Sequence, residues 1–168
     1  MATTSRTRTL RASPQELWAI VGDAHHLPRW WPRVTRVETV DEDSFTQVLE
    51  TAKGKPVRAD FRVVSSSAPR ERSWAQQVVG TPFERILARS ETEIRLEPDG
   101  DDATRVAISL AQRPRGLALL GAFMVRAAAR RQLEEALDGL EALVSPRASS
   151  ASEPAVSSPR PGRRRGPQ

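Results

Sequence analysis

The 168-residue chain has two histidines, His25 and His26, and neither cysteine nor tyrosine. Imidazole titrates near neutral pH and is the side chain most often used to move a proton. Asp23, two residues earlier, offers a carboxylate that could orient such a ring. Each histidine is therefore a candidate general acid or base, set against the simpler reading of a polar loop residue. Neighbouring side chains on a loop or helix diverge, so the pair does not converge on one ion, and no third ligand with suitable spacing accompanies it. No metal and no other cofactor is expected. A second source of chemistry is Arg126 and Arg130, which interrupt an otherwise apolar helical stripe. A guanidinium there could hold a carboxylate or enolate through its planar fork of donors. The alternative is a salt bridge to a sheet acid, with the stem packed on apolar neighbours. His25, His26 and Arg130 are thus the candidates for catalysis. The sequence contains no Ser-His-Asp arrangement, phosphate loop, paired-carboxylate motif or dinucleotide fingerprint. An enzyme made from these residues would work by positioning and desolvating a reactive ligand.

The elements that must carry these residues follow from pattern and turn chemistry. Thr3 to Ala12 alternates weakly and predicts a first strand. Ser13 is a good N-cap, Pro14 suits the first helical position, and Glu16 stands where a capping box needs it, so SPQELWAIVGD predicts a helix. Leu17, Ile20 and Val21 form its buried stripe, with Trp18 beside it. AHHLPRWWP leaves room for a turn or two of further helix before Pro32. From Val34 to Arg113 the period is two, with turn residues between short runs, and this predicts strands near 33–41, 44–52, 56–66, 69–79, 83–97 and 103–113. A long helix follows from Gly116 to Val144. Leu119, Phe123, Leu133, Leu137, Leu140 and Val144 share one face with Arg126 and Arg130. The first half is apolar nearly all round, through Leu117, Leu120 and Met124, and is expected to be wrapped by other elements.

Charge is unevenly spread. The formal +5 comes from 26 Lys+Arg against 21 Asp+Glu, but residues 145–168 hold five arginines and one acid, which leaves about +1 for residues 1–144. The Ser, Ala, Pro and Arg composition of 145–168 has almost nothing to bury and predicts a disordered tail. A polyanion partner is therefore suggested for the tail alone, and nucleic acid is expected to make only weak contacts there. The absence of cysteine excludes disulfide frameworks and thiolate metal sites. The run GLALLGAFMV, Gly116 to Val125, is about half of the roughly 20 residues that a membrane-spanning helix needs, and the N-terminus lacks the apolar stretch of a secretory signal. No membrane insertion and a cytoplasmic location are expected.

The order strand, two short helices, six antiparallel strands and long C-terminal helix describes a helix-grip fold. The segment SPQELWAIVGDAHHLPRWWPRVTRVE resembles the signature region of the START-like (SRPBCC) superfamily that includes polyketide cyclase/dehydrase-like proteins. Pro14, Leu17, Trp18, Asp23, Trp30 or Trp31, Pro32 and Val34 carry the match. APRERSWAQQVVGTPF resembles that superfamily's fifth strand with its following loop, and LEPDGDDATRVAISL its last hairpin. The resemblance spans residues 3 to 144. It implies an α+β domain with a seven-stranded curved antiparallel sheet, two short helices after the first strand, and a long C-terminal helix enclosing a cavity.

Such a cavity would be lined by the inner sheet face, the short helices and the first half of the long helix, and an apolar pocket with a few polar groups is the default binding site. Val57, Ala59, Phe61 and Val63 form the apolar face of one strand. Ile86, Ala88, Ser90, Thr92, Ile94 and Leu96 alternate with charged residues on another, and the small residues Ala59, Ala88 and Ser90 leave volume for a ligand or for close helix packing. Trp18 and one of Trp30 and Trp31 are expected to support the short helices, while the other could stack on a flat ligand at the mouth. Trp74 could be exposed or line the cavity. The candidate ligand-binding set is Trp31, Phe61, Trp74, Ala88, Ser90, Phe123, Met124, Arg126 and Arg130. The leading expectation is a protein that binds a small hydrophobic or aromatic, lipid- or polyketide-like molecule. The alternatives are a polyketide cyclase or dehydratase, and an interaction module for a protein or ribonucleoprotein aided by the basic tail.

Overall fold

A computed structural model describes residues 2–116 and 121–145 of the chain. The N-terminal strand β1 (Ala2–Leu10) leads into helix α1 (Pro14–Val21), a 3-10 turn (Ala24–His26) and helix α2 (Leu27–Trp30). Six strands follow: β2 (Val34–Glu38), β3 (Ser44–Glu50), β4 (Pro56–Ser67), β5 (Glu71–Gln76), β6 (Leu87–Pro98) and β7 (Thr104–Pro114). Helix α3 (Ala122–Val144) closes the fold. The strands form one seven-stranded sheet in the order β1-β7-β6-β5-β4-β3-β2, antiparallel throughout. The first strand thus joins the last, which carries the short helices and α3 onto one face of a curved meander. This is the expected helix-grip arrangement.

Local chemistry sets the element ends. The Ser13 hydroxyl accepts from the Glu16 N–H while the Glu16 carboxylate accepts from the Ser13 N–H, so the capping box of α1 is complete. The Gly22 N–H donates to the Trp18 carbonyl at 2.8 Å and closes that helix. Arg33 and Thr39 adopt φ of 66° and 48°, and these left-handed residues bracket β2, which is shorter than the 33–41 predicted. Helix α2 ends at Trp30, so Trp31 and Pro32 form the link to the sheet.

Two expectations need correction. The strand predicted from residue 83 begins only at Leu87. Thr81 accepts from the Phe83 N–H, Pro82 sets the φ of a first helical turn, and Pro82–Arg85 forms a 3-10 turn that leaves Ile86 half exposed instead of on the inner face. The long helix also differs. Its buried stripe is Ala129, Leu133, Ala136, Leu137 and Leu140, whereas Phe123 and Met124 are 83% and 74% exposed and Arg126 and Arg130 lie on its solvent side. The first buried residue of the described helix is Ala129, and Phe123 and Met124 in its first turn are exposed. Leu117, Leu119 and Leu120 and the predicted tail, apart from Ser145, lie outside the described residues.

The core lies between the inner sheet face and the helices. Phe45, Trp74, Ile94, Leu96, Val106, Ile108 and Leu110 face Leu17, Leu27, Trp30, Trp31, Leu133, Leu137 and Leu140. Along the other edge, Arg8 on β1 binds Asp138 and Glu141 at 2.6 and 2.8 Å and reaches Glu134 at 3.3 Å, so β1 is pinned to α3 from outside as well. Among the described residues no helix is long and apolar enough to cross a membrane.

Candidate functional site

Cross-strand register shows what the inner face offers. Phe45 pairs with Phe61, Gln47 with Ala59 and Leu49 with Val57, so these six residues share one face of the β3–β4 ladder. The Phe45 and Phe61 rings stack at 5.4 Å and 10°. Trp74 on β5 opposes Val63 and Thr92 and meets Phe45 edge-on at 6.1 Å. Trp31 packs edge-on against both Trp30 and Trp74, at 5.3 and 5.9 Å. The closed half of the grip is therefore filled by a continuous aromatic chain, T-shaped at most contacts as ring quadrupoles favour.

The other half is open. Where Leu49 and Val57 continue the floor beyond Gln47 and Ala59, α3 stands off the sheet and a cleft of about 590 Å3 lies between them. Its apolar lining is Pro32, Leu49, Val57, Phe83, Ala127 and Ala128, and its polar lining is Arg33, Glu50, Thr51, Arg131, Gln132 and Glu135. Arg131 and Glu135 pair across one helical turn at 2.7 Å. The Arg33 carbonyl accepts from the Glu50 N–H at 2.9 Å, which ties the strained residue after α2 to the end of β3. Each wall follows from a local feature: the Ala127-Ala128 pair thins the helix, Thr81-Pro82 turns Phe83 inward, and the left-handed Arg33 redirects the chain from α2 into the sheet. A depression of about 640 Å3 also lies between Pro14 and the turns at Pro69 and Pro98, with Arg70, Glu71, Arg95 and Glu97 in its wall and no residue of α3 in its lining.

The residues singled out in the sequence are dispersed. Trp31 and Trp74 are buried in the aromatic chain, which answers where Trp74 points, and Trp30 is buried against α3. Ser90 is buried and Ala88 half-buried on the inner face of β6. Phe61 also borders a small hollow of about 240 Å3 with Phe45 and Gln77. Arg126 lines another of about 210 Å3 against Thr4, Gln112 and Pro114. Phe123, Met124 and Arg130 are exposed on the first turns of α3. None of the nine lines the 590 Å3 cleft. Its α3 wall includes Ala127, Ala128, Arg131 and Gln132, none of which the sequence singles out.

The histidines sit on the 3-10 turn. His25 is exposed, its Nδ1 2.8 Å from Asp23 Oδ1. His26 Nδ1 lies 3.0 Å from Arg29 Nη1; because guanidinium only donates, this nitrogen is the acceptor. The His25 N–H donates to the Asp23 carboxylate and holds it below the usual carboxylate range, with burial opposing and both imidazoles assisting. Arg72, on the same face of β5 as Trp74, is pushed down by desolvation, and the charge of Asp23 partly offsets this. Neither histidine lines the cleft. Among the described residues no three His, Cys, Asp or Glu side chains come together as metal ligands.

Among the described residues, two buried side-chain polar atoms have no hydrogen-bond partner, Trp30 Nε1 and Gln47 Nε2. The sequence reading missed Gln47, and the signal was weak. Phe45, Val48 and Leu49 are all apolar, so the parity of β3 is ambiguous and its one polar inward position does not stand out.

The family model described as polyketide cyclase / dehydrase and lipid transport matches residues 1–145. Among solved structures, a START superfamily protein from Mycobacterium smegmatis is similar at 19% identity and TM-score 0.69, covering 84% of this chain and 96% of that one. A conserved protein from Geobacillus kaustophilus is similar at 17% identity and TM-score 0.71, with coverage of 84% and 94%. An aromatase/cyclase from a Streptomyces species is similar at 16% identity and TM-score 0.71, with coverage of 84% and 92%. No curated protein matches significantly. At such identities the structures establish the shared fold, and the match over residues 1–145 places the chain in the polyketide cyclase / dehydrase and lipid transport family.

Proposed function

We propose that the protein binds a small apolar or aromatic molecule in the cleft between α3 and the β3–β4 floor, as a cytoplasmic carrier or sequestering protein. The observation that carries this reading is the cleft itself. Its volume of about 590 Å3 falls within the range of small-molecule sites, and Pro32, Leu49, Val57, Phe83, Ala127 and Ala128 make half of its lining apolar. A naphthalene- to steroid-sized body buried there gains roughly 25 cal/mol for each Å2 of apolar surface removed from water, which is ample for micromolar binding. Arg131 and Glu135, both in the lining, pair with each other, and Leu49 and Val57 on the floor carry no charge.

The cyclase or dehydratase alternative gains no specific support from geometry. It needs a histidine and a helix arginine facing one volume, whereas His25 is exposed beside Asp23, His26 is engaged with Arg29, and Arg130 points to solvent. The interaction-module alternative rests on the tail alone. The binding reading is tested by filling the cleft. Ala128→Trp puts an indole into it from an exposed helix position that tolerates bulk. The expected result is an unchanged Tm with at least tenfold weaker binding of an environment-sensitive apolar dye such as 1-anilinonaphthalene-8-sulfonate. Equal dye affinity in both proteins rejects the cleft as the site.

A further inference from the structure

Charge and apolar surface are separated along α3. From Ala122 to Leu133 the helix carries Arg126, Arg130 and Arg131 and no acid; from Glu134 to Val144 it carries Glu134, Glu135, Asp138 and Glu141 and no base. In the second half Ala136, Leu137 and Leu140 are buried in the core. In the first turns the large apolar side chains face water instead: Phe123 and Met124 are 83% and 74% exposed, with Ala127 and Ala128 exposed beside them. Phe123 is the one exposed aromatic side chain among the described residues. Contiguous apolar surface of this kind marks a contact with something else.

The charges say what that is. The acids of the second half are engaged within the domain, Glu134 with Arg6, Asp138 and Glu141 with Arg8, and Glu135 with Arg131. Arg126 and Arg130 are exposed and have no ion-pair partner among the described residues. A second copy seated on the same turns would bring these arginines against their own images. Slid along the helix, it would meet carboxylates that β1 already holds. A leaflet containing anionic lipids fits better, because it offers an apolar boundary and phosphates at adjoining depths.

We propose that the first turns of α3 are a membrane-docking face: Phe123 and Met124 enter the boundary between headgroups and acyl chains of an anionic leaflet, Arg126 and Arg130 bind the lipid phosphates, and the acidic half of the helix points away from the bilayer. The face lies on the leaflet and does not cross it. Two apolar side chains and a few arginines give reversible attachment. This goes beyond the binding reading and does not depend on it. Because Ala127, Ala128 and Arg131 also line the cleft, docking brings the cleft's α3 wall to the bilayer.

The test is flotation of the full chain with vesicles of phosphatidylcholine alone or mixed equally with phosphatidylglycerol. The wild type is expected to float with the mixed vesicles and at least tenfold less with the neutral ones. Phe123→Ser combined with Met124→Ser is expected to weaken binding to mixed vesicles about tenfold or more at unchanged Tm, since neither side chain is packed. Arg126→Gln combined with Arg130→Gln is expected to do the same. All variants keep residues 145–168, so the basic segment contributes equally to each. Orientation is read from Met124→Cys and Ala142→Cys, each the single thiol of a chain that has none, labelled with a polarity-sensitive fluorophore. Ala142 is exposed on the same side of the helix about five turns further on. The label at position 124 is expected to shift to the blue on mixed vesicles and the label at 142 to stay unchanged. No flotation of the wild type, equal flotation of either double variant, or equal shifts at both labels overturns the proposal. A dimer in sedimentation that Phe123→Ser with Met124→Ser dissolves assigns the face to a second copy and overturns it as well. Dye binding measured without vesicles reports on the cleft alone, so the two readings fail separately.

Discussion

Asp23 holds His25 in two ways. Its Oδ1 lies 2.8 Å from the ring Nδ1, and the same carboxylate caps the 3-10 turn by accepting the His25 backbone N–H at 2.9 Å. That bond is the main cause of its lowered pKa. A carboxylate whose folded pKa is depressed adds stability above its unfolded pKa and loses it as pH falls through the folded value. Glu16, held down by the Ser13 N–H, and Glu38, held down by Arg58 and Arg36, act in the same direction. The protein is therefore expected to lose stability on acidification below the ordinary carboxylate range. Asp23→Asn, still a good cap, should change Tm little at pH 7 and give a shallower decline between about pH 5 and pH 3. Thermal melts across that range check it, and an identical decline in the variant would show that Asp23 is not among the groups responsible. The capping residues Ser13, Pro14 and Glu16 were legible because a cap is a local signal. Gln47 was not, because whether a strand residue faces in or out depends on the neighbouring strand.

The packing of α2 against α3 sets the width of the cleft, and one glycine controls it. A Cβ at Gly139 would lie 2.6 Å from the Trp30 carbonyl oxygen and 2.8 Å from its Cα, both backbone atoms that cannot swing aside. Alanine improves helix propensity by about 1 kcal/mol, but overlap with a packed backbone costs about 1–3 kcal/mol or more. The overlap wins. Gly139→Ala is expected to lower the denaturant midpoint, and, by displacing Trp30 and hence Trp31 and Pro32, to weaken dye binding in the cleft. A variant as stable as the wild type would mean that the two helices slide apart without cost. The order of elements was readable from period and turn residues, and the sheet follows it strand by strand. The seating of α3 was not. Helical periodicity predicts a stripe including Phe123, Arg126 and Arg130, but the buried stripe starts at Ala129, and Phe123, Arg126 and Arg130 are exposed. Similarly, Phe83 reads as a strand residue until Thr81 and Pro82 cap it into a turn, and this puts it in the cleft wall.

Chain length and net charge divide at the same place. The family model ends at residue 145, the last residue of α3 is Val144, and the +4 of the remaining segment accounts for most of the formal +5. A domain carrying about +1, with arginines paired along its strands to Glu38, Glu91 and Glu93, presents little net field to a polyanion. Arginines outside that domain, by contrast, can each release a counterion on meeting a phosphate, so any affinity for nucleic acid should come from them and fall steeply with salt. A chain of residues 1–145 is therefore expected to keep the Tm of the full protein within about 2 °C, equivalent to under about 1 kcal/mol for a domain of this size, and to bind the apolar dye with unchanged affinity. Full-length protein should show weak binding to duplex DNA at low ionic strength that vanishes by about 200 mM salt, and the shortened chain none at either. Equal DNA binding by the two chains would move the basic contact onto the folded surface, where Arg70, Arg105 and Arg113 would be the residues to replace next. A large fall in Tm on shortening would instead show that the segment after Ser145 packs on the domain, and the cleft between α3 and the sheet would then have to be considered together with it.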